Sequence, residues 1–105
     1  MSKEGLHVPR EKLRPGTLNK HYAITSIIEE LEAVDWYRQR ADDCDDEELR
    51  AVLLHNAREE LEHAAMVLEW LRRNDEEAGA QLKEYLFSTG SIARHEEKAE
   101  SGNGG

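Results

Sequence analysis

The residues of this chain that could carry out metal chemistry are a glutamate and a histidine, Glu60 and His63, three positions apart in a long helical pattern. Side chains three apart are neighbours on a helix surface, so both can reach one point. The rest of that face is mostly apolar, and a carboxylate turned toward it is unfavourable unless a cation or hydrogen-bond donors compensate it. A metal ion bound by both residues would explain why they interrupt the face.

A second carboxylate distinguishes this interpretation from chance. A chain rich in glutamate contains Glu-x-x-His at random, and a Glu–His pair on a solvated helix edge is the more common case. Glu30, however, also lies within an apolar stripe, in the preceding helical segment. If the turn between the segments centres near Asp45, Glu30 and Glu60 are equally distant from it, and antiparallel helices would place them at the same height.

The composition predicts one small, acidic domain that associates with copies of itself. The chain has 105 residues, of which 38% are hydrophobic and 35% charged, so a monomer could bury only a modest core. A formal net charge of -9 disfavours nucleic acid and anionic membrane as partners and favours cations.

The remaining composition predicts a cytoplasmic protein. Cys44 is the single cysteine, so no internal disulfide can form and a reducing compartment is expected. The N-terminal residues lack the apolar core of a signal peptide, and no apolar run approaches the ~20 residues of a membrane span.

The elements that would position Glu30, Glu60 and His63 are two long helices. Residues 1–16 are expected to form a flexible arm, residues 17–88 a helical hairpin with a third short helix, and residues 89–105 a last short helix and a flexible tail. Within these segments we predict helices from Leu18 to about Ala41, from Asp46 to Arg73, from Glu76 to about Phe87 and from Ile92 to Glu100. The expected N-caps are Thr17, Asp45 (paired with Glu48) and Asp75.

These elements predict an all-α fold built on an antiparallel two-helix hairpin. Ferritin-like di-iron bundles use one Glu from each of two helices and a Glu-x-x-His from each of the other two. Glu30, Glu60 and His63 make up half of that set. Two copies would complete both the four-helix bundle and the ligands, at a site shared between chains. Oxygen and imidazole ligands suit iron or manganese, and no thiolate cluster suggests zinc.

Several sequence blocks together resemble the encapsulated ferritins, and the similarity covers roughly residues 17–98. The blocks are residues 29–37 (EELEAVDWY), His55-Asn56, residues 59–66 (EELEHAAM), residues 68–75 (LEWLRRND) and residues 85–87 (YLF). The combination is much more specific than Glu-x-x-His alone.

The resemblance implies a function. Members of that family are two-helix ferritin-like proteins that pair to form a ferroxidase centre, and the pairs assemble into a ring-shaped homodecamer. They oxidise Fe(II) with dioxygen or peroxide as cargo of encapsulin nanocompartments, whose shell protein is their partner and where the iron is stored. Carried over by motif, the di-iron ligands are Glu30, Glu60 and His63 from both chains.

The same resemblance assigns four further residues. Glu29 and Glu32 match a second, more exposed metal site that collects iron, Trp36 matches a residue beside that site, and Tyr37 matches a tyrosine close to the iron. The family is directed into the shell by a short C-terminal peptide. The Gly-rich residues 101–105 resemble the linker that precedes such a peptide.

Two other functions are compatible with the pattern. One is a non-catalytic acidic helical module that holds structural cations, such as calcium, at secondary interface sites. It would bind metal without redox turnover. The other is a different di-metal enzyme, such as a manganese or rubrerythrin-like peroxidase, although the cysteine-rich module of complete rubrerythrins is missing.

Overall fold

Helices make up the computed structural model, which describes residues 5–96. A 3-10 turn at Arg10–Lys12 precedes α1 (Pro15–Asp43), α2 (Glu47–Asn74) and α3 (Glu76–Tyr85). Residues 92–96 are also helical, and no strand occurs between residues 5 and 96. The predicted all-α fold is confirmed. The predicted end of the last helix and the Gly-rich tail lie outside the described residues.

The first helix begins earlier than predicted. Thr17 was expected to be its N-cap, but Arg14 has the extended cap conformation and Pro15 is the first helical residue. Proline suits this position because its ring fixes a helical φ and its missing N–H would have had no partner there. Residues 15 and 16 therefore belong to α1 and not to the arm. The Arg14 carbonyl accepts the Leu18 N–H at 3.1 Å.

The second helix is capped by a different aspartate from the one predicted. The carboxylate of Asp46, not Asp45, accepts the backbone N–H of Leu49 at 2.8 Å. Only a short segment connects the two helices. Cys44 is the C-cap of α1 and donates its N–H to the Ala41 carbonyl, and α2 begins at Glu47. The predicted cap of α3 is confirmed, since Asp75 accepts the Ala78 N–H at 2.8 Å.

Small side chains fill the seam between α1 and α2. The buried residues in the described part of the chain are Ala23, Val34 and Ala41 on α1 and Ala57 and Ala64 on α2. Spacings of seven and eleven residues are typical of helices that lie side by side. Because four of the five are alanine, the helices pack closely but bury little apolar area.

The chain divides into two compact units, one ending at Leu71 and the other beginning at Arg72. In the second unit, α3 lies close to the last turn of α2. A Cβ atom added to Gly79 would come within 2.7 Å of the Arg72 carbonyl oxygen, so a side chain there would force the two apart. His95 Nε2 lies 3.0 Å from Glu84 Oε1, which holds residues 92–96 against α3.

None of the helices within residues 5–96 combines the length and the apolar character needed to cross a membrane.

Candidate metal centre

Glu30 and Glu60 both occupy the spacing of the buried seam. Glu30 lies seven residues after Ala23 and four before Val34, and Glu60 lies three after Ala57 and four before Ala64. Each of the two glutamates is half-buried. The periodicity that buries the alanines therefore turns both carboxylates toward the seam as well.

The helix bounds give the two glutamates equal heights along the hairpin. Glu30 lies thirteen residues before Asp43, the last residue of α1, and Glu60 lies thirteen residues after Glu47, the first residue of α2. At 1.5 Å per residue, each lies about 20 Å from its end of the turn. The change of cap from Asp45 to Asp46 leaves this symmetry unchanged.

One carboxylate oxygen of Glu30 has no partner. Its Oε2 atom is buried and accepts no hydrogen bond. Leaving a buried acceptor unsatisfied costs about 1–3 kcal/mol, and more for a charged group. A carboxylate held in this state is suited to a cation, and the other donors of the predicted set, a second carboxylate and an imidazole, are the ligands that iron and manganese prefer.

His63 lies further from the seam than Glu60, on an exposed face of α2. An α-helix turns by about 100° per residue. Around the axis of α2, Glu60 therefore lies about 50° from the direction of the buried alanines, and His63 lies about 110° from it in the same sense. The His63 side chain is exposed. Large apolar side chains share this face, with Met66 66% exposed and Trp70 38% exposed. An imidazole among exposed apolar residues is placed to be covered by another protein surface.

A single chain does not complete a metal site among residues 5–96. No group of three or more His, Cys, Asp or Glu side chains there lies close enough to hold an ion. The structure therefore does not bring Glu30, Glu60 and His63 together as one cluster within the chain. Nor does any such group within this range support the predicted calcium sites.

The predicted secondary site lies on the outer face of α1. Glu29 and Glu32 are three residues apart and Trp36 follows four later, so the three share one exposed side of the helix. The Trp36 ring is 50% exposed. It lines a shallow cavity of about 250 Å³ together with Gln39 and Arg40.

Tyr37 lies on the same side of α1 as Glu30, two turns closer to the hairpin turn. The residue is half-buried. The guanidinium carbon of Arg40 lies 5.7 Å from the centre of the Tyr37 ring, which is a cation–π contact. Sequence reasoning assigned Tyr37 by resemblance and did not identify Arg40.

A second feature that sequence reasoning missed is a crevice at the far end of the hairpin from the turn. Asn19, Tyr22, Ala23, Ser26 and Trp70 line this cavity of about 390 Å³. Arg10 donates a hydrogen bond to the Tyr22 hydroxyl, and its guanidinium lies 5.7 Å from the ring centre. The contact holds part of the predicted flexible arm against α1. Small residues at helical spacing, Ala23 and Ser26, were the available sequence signal.

The fold and these residues define a ferritin-like helical hairpin with inward carboxylates. A family model described as EncFtn-like matches residues 5–89. The chain belongs to the EncFtn-like family. The predicted resemblance is therefore confirmed.

Individual proteins agree with this assignment. An encapsulated ferritin-like protein of Rhodospirillum rubrum is 53% identical over 103 residues, which is 98% of this chain and 74% of the relative. An encapsulin nanocompartment cargo protein of Myxococcus xanthus is 41% identical over 59 residues, 56% of this chain and 45% of the relative.

A solved structure supports the fold. The crystal structure of a protein from Nitrosomonas europaea superposes with a TM-score of 0.82 at 52% identity. The match covers 85% of this chain and 98% of the solved one. The ferritin-like fold thus extends over most of the chain.

Proposed function

We propose that this protein is a ferroxidase whose di-iron centre forms between two chains. The observation that carries the proposal is the buried Oε2 atom of Glu30, a carboxylate oxygen without a hydrogen-bond partner at the height of Glu60. Fe(II) supplies the positive charge that this carboxylate lacks in the isolated chain. Membership of the EncFtn-like family gives independent support.

The ligands in this proposal come from both chains. Glu30 and Glu60 lie along the seam of one hairpin, whereas His63 lies on the exposed apolar face beside it. A second hairpin packed on this face would complete a four-helix bundle and bring a second set of the same three ligands. Carboxylates stabilise Fe(III) over Fe(II), since the ion with more positive charge gains more from their negative charge.

The reaction transfers two electrons. Two Fe(II) ions each lose one electron, and dioxygen takes both together with two protons to give hydrogen peroxide and two Fe(III). Tyr37, which shares the Glu30 side of α1, lies close to the iron in this proposal. Arg40 makes a cation–π contact with its ring.

Iron delivery involves the acidic exterior. Glu29 and Glu32 are exposed on the outer face of α1, beside Trp36. In a chain with a formal net charge of -9, they attract Fe(II) and pass it toward Glu30.

The assembly proposed for the family, a ring-shaped decamer, requires a second contact surface. Around the axis of α1, at about 100° per residue, Glu30 and Tyr37 lie about 20–40° to one side of the buried residues. On the other side, at about 80–140°, lie Ile24, Ile28 and Leu31. These three aliphatic side chains are about half exposed. The side of the hairpin with Glu30 and Tyr37 thus suits the pairing of two chains around iron. The side with the aliphatic residues suits contact between such pairs of chains.

Two of the relatives are named as encapsulated or encapsulin cargo proteins. By the same relationship, we assign this protein to the interior of a cytoplasmic encapsulin nanocompartment, where the shell stores the Fe(III) it produces.

The test is anaerobic loading with Fe(II) followed by air, with Fe(III) formation followed by ultraviolet absorbance on size-fractionated protein. We expect a fast rise in the dimer and larger fractions only. Glu60→Ala and His63→Ala are expected to reduce the initial rate to that of iron in buffer. Glu29→Ala with Glu32→Ala is expected to slow the reaction at low Fe(II) and to leave the saturating rate unchanged.

Glu62→Ala is the matched control, because this carboxylate is exposed near Glu60 on α2 and is not one of the proposed ligands. Its rate is expected to equal that of the unmodified protein. Unchanged oxidation in Glu60→Ala and His63→Ala would reject the proposed centre. Fe(II) binding without oxidation above buffer would instead indicate a cation-bridged assembly module.

A further inference from the structure

A groove with an apolar wall and cationic rim lies in the second unit of the chain. Leu82, Leu86 and Phe87 form its apolar wall, and Arg72 and Lys83 are its charged lining residues. The cavity has a volume of about 470 Å³, which is enough for two or three side chains. Glu30, Glu60 and His63 are not among its lining residues, and the proposed ferroxidase chemistry does not use it.

Phe87, which lines this groove, has an unfavourable backbone conformation. Its φ is 64°, in the left-handed region that a bulky residue rarely adopts. The ring is also fully exposed, and the neighbouring Leu86 is 48% exposed. A strained backbone that holds an aromatic ring in water is unfavourable in an isolated chain, and contact with another surface would offset that cost.

The hairpin turn of the same protein has the complementary chemistry. Six carboxylates lie within seven positions around it: Asp42, Asp43, Asp45, Asp46, Glu47 and Glu48. Directly after them, on the first turns of α2, Leu49 is 51% exposed and Val52 is 49% exposed. The turn therefore offers apolar side chains next to a dense negative charge, and the groove offers an apolar wall next to two positive charges.

We propose that the groove of one copy docks the acidic hairpin turn of a second copy. Leu49 and Val52 would cover Leu82, Leu86 and Phe87, while the carboxylates face Lys83. Residues 97–105 are a poor alternative occupant, because they contain no apolar side chain larger than alanine. Because the contact joins two different surfaces, it can link copies in series, as in a ring.

The test is a cross-link that uses the single native cysteine. Cys44 lies in the turn, and Lys83→Cys places a second thiol on the rim of the groove. A short bis-maleimide is added to the full chain at assembly concentration, with and without Fe(II) under anaerobic conditions. We expect Lys83→Cys to give covalent dimers and larger species on denaturing gels, and the same variant carrying Cys44→Ser to give none.

Gln81→Cys is the matched control, since it is exposed on the same helix and does not line the groove. It is expected to give at least fivefold less cross-linked product. Equal products from Gln81→Cys, products that survive Cys44→Ser, or no product in either metal condition would overturn the proposal. Because the readout is a covalent link and not iron oxidation, an inactive protein could still pass this test and a ferroxidase could fail it.

A charge reversal provides a second, independent test. Lys83→Glu is expected to weaken association, measured as a loss of the largest species in size exclusion with light scattering, because like charges would then meet at the contact. Glu48→Lys mixed with Lys83→Glu is expected to restore that species. Failure of the mixture to recover it, when each variant alone is folded by circular dichroism, would overturn the pairing of turn and groove.

Discussion

Glu30 is unfavourable in a single chain, and in the proposed assembly it becomes a metal ligand. Its Oε2 atom is buried without a partner, although the residue lies at a position where the seam elsewhere holds alanine or valine. The sequence pattern revealed this residue because a carboxylate interrupted an apolar stripe. The pattern could not reveal that the His63 side chain would be exposed, because that depends on which residues of α2 are buried against α1 and on the angle between them and His63.

Replacement of Glu30 by leucine is expected to have opposite effects without and with metal. In metal-free protein, Glu30→Leu should raise the free energy of unfolding by about 1–3 kcal/mol, because an unsatisfied buried acceptor is removed. With Co(II) or Fe(II), the metal-dependent rise in melting temperature should disappear. Circular dichroism melts with and without metal measure both effects.

Glu32→Leu is the control for this prediction, because Glu32 is exposed and its replacement is expected to change the stability of metal-free protein by less than about 0.5 kcal/mol. A metal-free Glu30→Leu protein less stable than the unmodified one would contradict the unfavourable role assigned to the carboxylate.

At the scale of the elements, helix existence was predictable and helix ends were less so. Both long helices follow from apolar periodicity without Gly or Pro in their central parts, and α3 follows from its Asp75 cap and its apolar side. The start of α1 was misplaced because Thr17 is a good cap by type, while Pro15 fixes the helical conformation two residues earlier. Asp45 and Asp46 are equivalent by type, and only the backbone path after Cys44 decides which one reaches an N–H group.

The cap of α2 can be tested with a pair of neighbouring variants. Asp46→Ala is expected to lower the free energy of unfolding by about 1 kcal/mol, because the Leu49 N–H loses its acceptor. Asp45→Ala removes the same charge one residue away and is expected to have a smaller effect. Urea denaturation compares the two, and equal losses would show that charge near the helix start matters more than the hydrogen bond.

Gly79 provides a second test at this scale. Glycine to alanine within a helix usually stabilises it by about 0.5–1 kcal/mol. Gly79→Ala is expected to destabilise the protein instead, because the new methyl group would meet the Arg72 carbonyl oxygen at 2.7 Å. Gly16→Ala in α1, where nothing lies within 4 Å, is the control and is expected to be neutral or stabilising. Thermal melts of the two variants that shift in the same direction would contradict this view of α3 packing.

For the whole molecule, the distribution of apolar side chains matters more than their number. The seam of the hairpin buries small residues, while large ones such as Ile28 and Met66 are 55% and 66% exposed. The composition already predicted association, since a polar chain of this length cannot build a large core. Which surfaces associate could not be predicted, because that requires the angular position of each stripe relative to the buried seam.

The prediction for the whole molecule concerns the exposed aliphatic stripe of α1, which consists of Ile24, Ile28 and Leu31. Ile28→Glu is expected to reduce the assembly to smaller species in size exclusion with light scattering, because a charge would be buried between pairs. Iron oxidation is expected to persist in those species, since the side of the hairpin proposed to bind iron is unchanged. Gln81→Glu, which adds the same charge on α3, is the control. An unaltered mass for Ile28→Glu would exclude this stripe from the assembly contacts.

The alanine-filled seam also has a consequence for the abundance of this protein in a cell. A newly synthesised chain has little core of its own, so under the proposed assembly it would remain open to proteolysis until it meets another copy. Encounter depends on the concentration of unassembled chains. The steady-state amount of assembled protein is therefore expected to rise more steeply than in proportion to its rate of synthesis, and a modest fall in expression would remove most of it.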